Sequence, residues 1–204
     1  TLFRSSAASD VYKRQVTAST DGYAVNPLYG PPVGVAKLNA NENPYGPSPA
    51  ALKAMAEASQ SGAYYVNESS KKLRDMIAER HGLTREHVML SSGSSGVLTF
   101  LAMAATRQGD ILGPDLFWDT TSRMGVRNSE NGIVRLPKDP NLAIDLRAME
   151  AALSDSVSMV HVTNPNNPTG SALEAAQLKA FCKKASTKTM VLVDEAYNLS
   201  LIHI

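Results

Sequence analysis

Cys182 is the only cysteine in 204 residues, so the chain cannot form an internal disulfide framework. It falls at helical spacing with Leu178, Phe181 and Ala185, which reads as an ordinary core position. A chain without disulfides suits a reducing compartment, and a cytoplasmic location is expected. An excess of either charge is also missing: 20 Lys and Arg stand against 19 Asp and Glu, for a net charge of +1. Without a basic block, neither nucleic acid nor an anionic membrane surface has electrostatic support as a partner. No apolar run approaches the ~18 residues needed to span a bilayer, and residues 1–15 lack the apolar segment of a secretory signal. What remains is a chain with 43% apolar residues, enough for a sizeable core, and a small ligand as the expected partner.

The two ends carry no periodic pattern. "TLFRSSAASDVYKRQ" (1–15) and the terminal residues 200–204 resemble translated adapter sequence and are set aside as non-native. Between them, residues 16–62 read as an extended arm with a first helix, and 63–199 as one large, incomplete domain. Ser48 followed by Pro49 supplies an N-cap hydroxyl and a proline at the first helical position, with Leu52 and Met55 as the apolar stripe and Gly62 as the stop. A second helix is predicted from Ser70, burying Leu73, Met76 and Ile77.

From residue 87 onward, strands and helices alternate. Strands are predicted at 87–91, 110–113, 132–136, 157–163 and 189–193. Helices are predicted after "SGSSG", over 117–127, after Asp145 and over 172–186. This alternation implies an α/β fold with a mainly parallel sheet and helices on both faces. In such sheets the ligand lies at the carboxyl ends of the strands.

Four features follow those strand ends. Ser92-Gly93-Ser94-Ser95-Gly96 precedes an apolar helix, where free N–H groups, hydroxyls and the helix dipole suit a phosphate, although such residues also serve as simple caps. Phe117 and Trp118 are adjacent; one of them could stack on a flat ring or simply be buried. "NPNNPTG" (164–170) halts an apolar strand with three amides and two prolines, which lack the N–H a central strand needs. Asp194 directly follows "MVLV", where an unpaired carboxylate is costly, and Lys188 or a helix N-cap is its structural alternative. A phosphate cradle, a stacking ring, amide donors and an acid with Tyr197 three residues on together suit one ligand, pyridoxal 5'-phosphate.

The chain therefore resembles the fold-type-I pyridoxal-phosphate-dependent aminotransferases, in particular the histidinol-phosphate aminotransferase group. "LNANENPYGPSP" (38–49), "GSS" (93–95), "NPNNPTG" and "VDEAY" (193–197) occur in the family's order across residues 22–198. The resemblance implies that Asp194 pairs with the pyridine nitrogen and that Asn167 and Tyr197 donate to the ring's phenolic oxygen. Gly93, Ser94 and Ser95 would form part of the phosphate cup. Tyr65 would reach a neighbour's phosphate across a homodimer interface, and Phe117 would be the stacking ring, with Trp118 as second choice. Asn41 and Tyr29 would lie near the substrate in a covering arm.

Val66 stands where the family often has proline, and Gly96 where an acidic residue is common. The covalent lysine and the arginine-bearing small domain would lie beyond the last residue, and the fragment alone is expected to be inactive. The implied activity is transfer of an amino group from an amino acid or amino-phosphate donor to an oxo-acid acceptor. A lyase or decarboxylase using the same cofactor, or a non-catalytic module of the same fold, remains open. No metal ligand set is seen in the sequence.

Overall fold

The computed structural model describes residues 35, 38–43, 45–137, 139 and 141–198. Tyr29, most of the arm and both suspect ends lie outside the described residues. The chain divides into two compact units, one ending at Tyr65 and the other beginning at Val66. In the first, α1 (Pro49–Ser59) starts as predicted: the Ser48 hydroxyl accepts from the Ala51 N–H at 3.2 Å, and Pro49 occupies a position whose N–H the helix does not use. Its predicted apolar stripe is not a buried one, since Leu52 and Met55 are each about half exposed.

The second unit opens with α2 (Asn67–Arg80), three residues earlier than Ser70, and a 3-10 turn at Arg85–His87. Leu73 and Met76 are exposed and Ile77 half-buried, because nothing among the described residues covers that face. The expected strand at 87–91 is absent. Val88 is extended, but extended backbone becomes a strand only with a partner. Arg74 instead takes the carbonyls of Val88 and Arg85, each at 2.8 Å.

The remaining elements are α3 (Ser94–Ala105), β1 (Asp110–Pro114), α4 (Thr120–Val126), β2 (Ile133–Leu136), α5 (Leu146–Ala151), β3 (Val157–Thr163), α6 (Ala175–Ala185) and β4 (Met190–Asp194). The four strands form one parallel sheet in the order β2-β1-β3-β4. This is the α/β architecture that the alternation of elements implies. Asp145 caps α5 as predicted, accepting from the N–H groups of Arg147 and Ala148. Helix α6 begins at Ala175 rather than 172, because the Glu174 carboxylate caps it at Ala176 and Gln177.

Each face of the sheet has its own core. Leu112, Val160 and Val162 pack with Met149 of α5 and Phe181 and Ala185 of α6. On the opposite face Ile111 and Met159 pack with Ala102 and Ala105 of α3, with Val126 and Leu192 alongside. Helix α4 lies close against α3 at Gly125, where a Cβ would stand 2.6 Å from that of Ala102, so only glycine fits.

Candidate active site

Strand β3 ends at Thr163, directly opposite Asp194 at the end of β4. The loop that follows shows what the three asparagines do. Asn164 donates its N–H to the Asp194 carbonyl at 2.9 Å, and its side-chain oxygen accepts from Leu173 N at 2.8 Å, which ties β3 to β4 and to the start of the next segment. Asn166 is 1% exposed; its amide donates to Leu116 O and Thr169 Oγ1, and its backbone bonds Ser171 and Gly170 close the turn. Gly170, at φ 71°, takes the left-handed conformation that turn requires. Asn167 stands apart: its side chain donates outward to the Tyr197 hydroxyl at 3.2 Å. Two amides therefore build the loop, and the third is presented by it.

Asp194 is 6% exposed, and its Oδ1 accepts from Ala196 N at 3.1 Å. Burial pushes its carboxyl above the usual carboxylate range, and the Ala196 bond only partly offsets this. Lys188 does not pair with it, and no cation among the described residues forms a salt bridge to it. An aspartate at the end of β4, desolvated and without a cation among the described residues, is costly to hold as a charge.

Gly93, at the N-cap of α3, turns the chain into the helix with a φ of 72°, and no side chain caps the first N–H groups. A Cβ at Gly93 would meet nothing within 4 Å, and Ser94 and Ser95 are exposed beside it. Uncapped donors, two hydroxyls and open space suit an anion.

The two aromatics separate. The predicted helix 117–127 begins only at Thr120, which leaves both in the loop after β1. Phe117 is 5% exposed, wedged over Gly113, edge-on to His161 with ring centroids 5.0 Å apart, and has the Arg135 guanidinium 5.6 Å from its ring. Trp118 is half-buried. Sequence periodicity cannot make this distinction, because it depends on which ring the glycine on β1 admits. Tyr65, 96% exposed, and Asn41 belong to the other unit.

Sequence reasoning missed His161, a fully buried histidine whose Nδ1 is 2.8 Å from Ser122 Oγ and whose Nε2 has no partner. Its signal was a titratable residue inside an otherwise apolar strand. No group of metal-ligating side chains occurs among the described residues, and no described helix is long and apolar enough to cross a membrane.

A family profile for aminotransferase class I and II matches residues 33–200. The chain belongs to that family. The histidinol-phosphate aminotransferase 2 of Carboxydothermus hydrogenoformans is 33% identical over 163 residues, 79% of this chain and 44% of that protein. The aromatic amino acid aminotransferase of Streptomyces avermitilis is 32% identical over 163 residues, covering 79% and 45%. Among solved structures, the histidinol-phosphate aminotransferase of Sinorhizobium meliloti, in complex with pyridoxal-5'-phosphate, superposes with a TM-score of 0.70 at 25% identity, over 78% of this chain and 43% of that one. The chain thus spans somewhat less than half the length of each of these three relatives. The fold and the family expected from the four ordered motifs are those found.

Proposed function

We propose that this aminotransferase-family chain carries the pyridoxal-phosphate-holding part of an enzyme that moves an amino group from an amino acid or amino-phosphate to an oxo acid. The observation that carries the reading is Asp194, a buried carboxylate without a cation, one loop away from the Asn167–Tyr197 pair. A protonated pyridine nitrogen is the cation that this position needs. When bound, the cofactor supplies an electron sink for the bonds at the substrate's α-carbon.

The residues supply the rest. Asp194 holds the proton on the ring nitrogen, and the low local dielectric strengthens that pairing. Asn167 donates one amide hydrogen to Tyr197 and has a second; because the tyrosine oxygen accepts, its own hydrogen points away from the amide. Together they suit one phenolic oxygen. The N–H groups at the start of α3, with Ser94 and Ser95, suit the phosphate. Since Phe117 is committed to the core, we assign the stacking face to Trp118. Tyr65 at a homodimer interface, Asn41 near the substrate carboxylate and a cytoplasmic location are part of the same proposal. The names of the relatives favour a phosphorylated or aromatic amino donor.

The test is a titration of the chain with pyridoxal 5'-phosphate alone, followed by quenching of its single tryptophan. Saturable quenching is expected, with Asp194→Asn about 10- to 100-fold weaker, the worth of a hydrogen bond to a charged group. Absence of saturable binding by the unmodified chain would overturn the reading.

A further inference from the structure

Two loops carry residues assigned above to the flat ring: the loop after β1 holds Trp118, and the loop after β3 holds Asn167. The first is anchored at both ends. Asp115 N donates to Leu136 O at 2.7 Å, Arg135 Nη1 donates to Asp115 O at 3.0 Å, and the Asp119 carboxylate pairs with Arg123 and Arg135. Its middle is reached from the second loop. Asn166 Nδ2 donates to Leu116 O at 3.2 Å, across 50 residues of chain, and to Thr169 Oγ1 of its own turn at 2.8 Å.

The orientation of that amide is fixed by what it faces. A backbone carbonyl only accepts, so the side chain must turn its nitrogen, and not its oxygen, towards Leu116. The cost is visible: Asn166 is 1% exposed, and its Oδ1 has no partner among the described residues. Buried acceptors without partners are rare, and the turn alone does not require one. Asn166 closes that turn through its backbone, donating from N to Ser171 O at 2.8 Å and accepting at O from Gly170 N at 2.7 Å. What its side chain adds beyond the turn is the link to Leu116.

Resting on the reading of Trp118 and Asn167 above, we propose that Asn166 is a positioning residue that locks the two loops in register, so that the stacking face and the donor to the phenolic oxygen meet one planar ligand already aligned. Asn167 is the next residue in its loop, and Trp118 lies two residues beyond Leu116. A shift at either end of the Asn166 bond therefore reaches a group assigned to the ring. Misplacement by about 1 Å is enough to weaken binding and slow a reaction.

The experiment uses Trp118, the chain's single tryptophan, as its reporter in wild type, Asn166→Leu, Asn166→Asp and Thr169→Val. Leucine has the branching of asparagine without a donor and removes the orphan acceptor as well; aspartate puts an oxygen against Leu116 O. Time-resolved anisotropy of the cofactor-free chain should show a fast component of Trp118 motion in both Asn166 variants that wild type lacks. Pyridoxal 5'-phosphate, read by quenching of the same tryptophan, should bind each of them about tenfold more weakly, the worth of one hydrogen bond. Thr169→Val breaks the bond within the turn and keeps the one to Leu116, so its anisotropy should match wild type. Should both Asn166 variants fail to fold, wild type still decides: nuclear Overhauser contacts between the Asn166 side-chain amide and the Leu116 backbone are expected, and their absence would overturn the proposal. So would an anisotropy or an affinity unchanged in Asn166→Leu, or an equal loosening of Trp118 in Thr169→Val, which is the pattern of a residue that only builds its own turn. Because the anisotropy is read without cofactor, failure of wild type to bind pyridoxal 5'-phosphate would sink the functional reading and leave the coupling of the loops standing. Normal binding with Trp118 unmoved in Asn166→Leu would sink only this inference.

Discussion

Val160 and Val162 point to one side of β3, into an apolar layer with Leu112, Met149 and Phe181. Met159, His161 and Thr163 point to the other side, where the layer is apolar near the start of the strand and polar towards its end. The backbone is the same and the neighbouring strands are the same. The difference lies in what each face must do. The face under α5 and α6 only excludes water, so volume and hydrophobicity satisfy it. The face under α3 and α4 must also hold Asp194 desolvated at the strand end, and it does so with side chains that cost stability until something completes their hydrogen bonds.

The largest way to test this contrast is to damage the apolar face. Phe181→Ala should cost about 3–5 kcal/mol, since a 4% exposed ring is replaced by a cavity in a close-packed layer. Urea denaturation measures it, with the midpoint falling and the slope unchanged. A loss under 1 kcal/mol would mean that the two faces share the load.

Acid should act through the other face. Burial pushes the His161 imidazole down to about 4, below its ordinary 6.5. The unfolded chain then binds more protons between those values, so the stability present above pH 6.5 is lost as pH falls towards 4, by roughly 3 kcal/mol in all. His161→Phe should remove that pH dependence, and the difference between the two proteins across pH 4–7 is the quantity to measure. A constant difference would show that the ring titrates normally.

Asp194 should show the reverse sign. Its carboxyl is raised, so it favours the fold below the unfolded carboxylate range and disfavours it once ionised. Asp194→Asn should therefore stabilise the cofactor-free chain at neutral pH by roughly 1–3 kcal/mol, the cost of an incompletely satisfied buried group, while weakening pyridoxal-phosphate binding. Thermal unfolding at pH 7 with and without pyridoxal 5'-phosphate separates the two effects. A variant less stable than wild type without cofactor would contradict it.

These signs follow from side-chain partners that the sequence does not display. Strand β3 and its stop at Thr163 were readable from β-branched alternation and the prolines after it, and the four motifs led to the family. The caps at Ser48 and Asp145 were readable because their chemistry is local. The strand expected at 87–91 failed because a strand is defined by a partner elsewhere in the chain. Leu73 and Met76 failed for a related reason, since periodicity marks an apolar face without saying what covers it. That Phe117 is buried while Trp118 is only half-buried turns on the space over Gly113, which is a tertiary fact. Glu174 was overlooked because a glutamate is an unusual cap, and it displaced the start of α6 by three residues.

That cap and the one on α5 give the smallest and most local probe of the contrast. Glu174 and Asp145 each satisfy two N–H groups at the start of a helix on the apolar face, and both are exposed. Replacing either with alanine returns those donors to water rather than burying them, so the cost should be about 1 kcal/mol each. The two carboxylates cap separate helices through different N–H groups, so the double variant should lose their sum within about 0.5 kcal/mol. Neither helix start contributes a group to the cofactor-holding set. Pyridoxal 5'-phosphate affinity should therefore stay within about twofold of wild type, a change under ~0.4 kcal/mol. A larger loss of affinity would mean that the apolar face does more than exclude water, and that the carboxyl end of β3 is held in place from both of its sides.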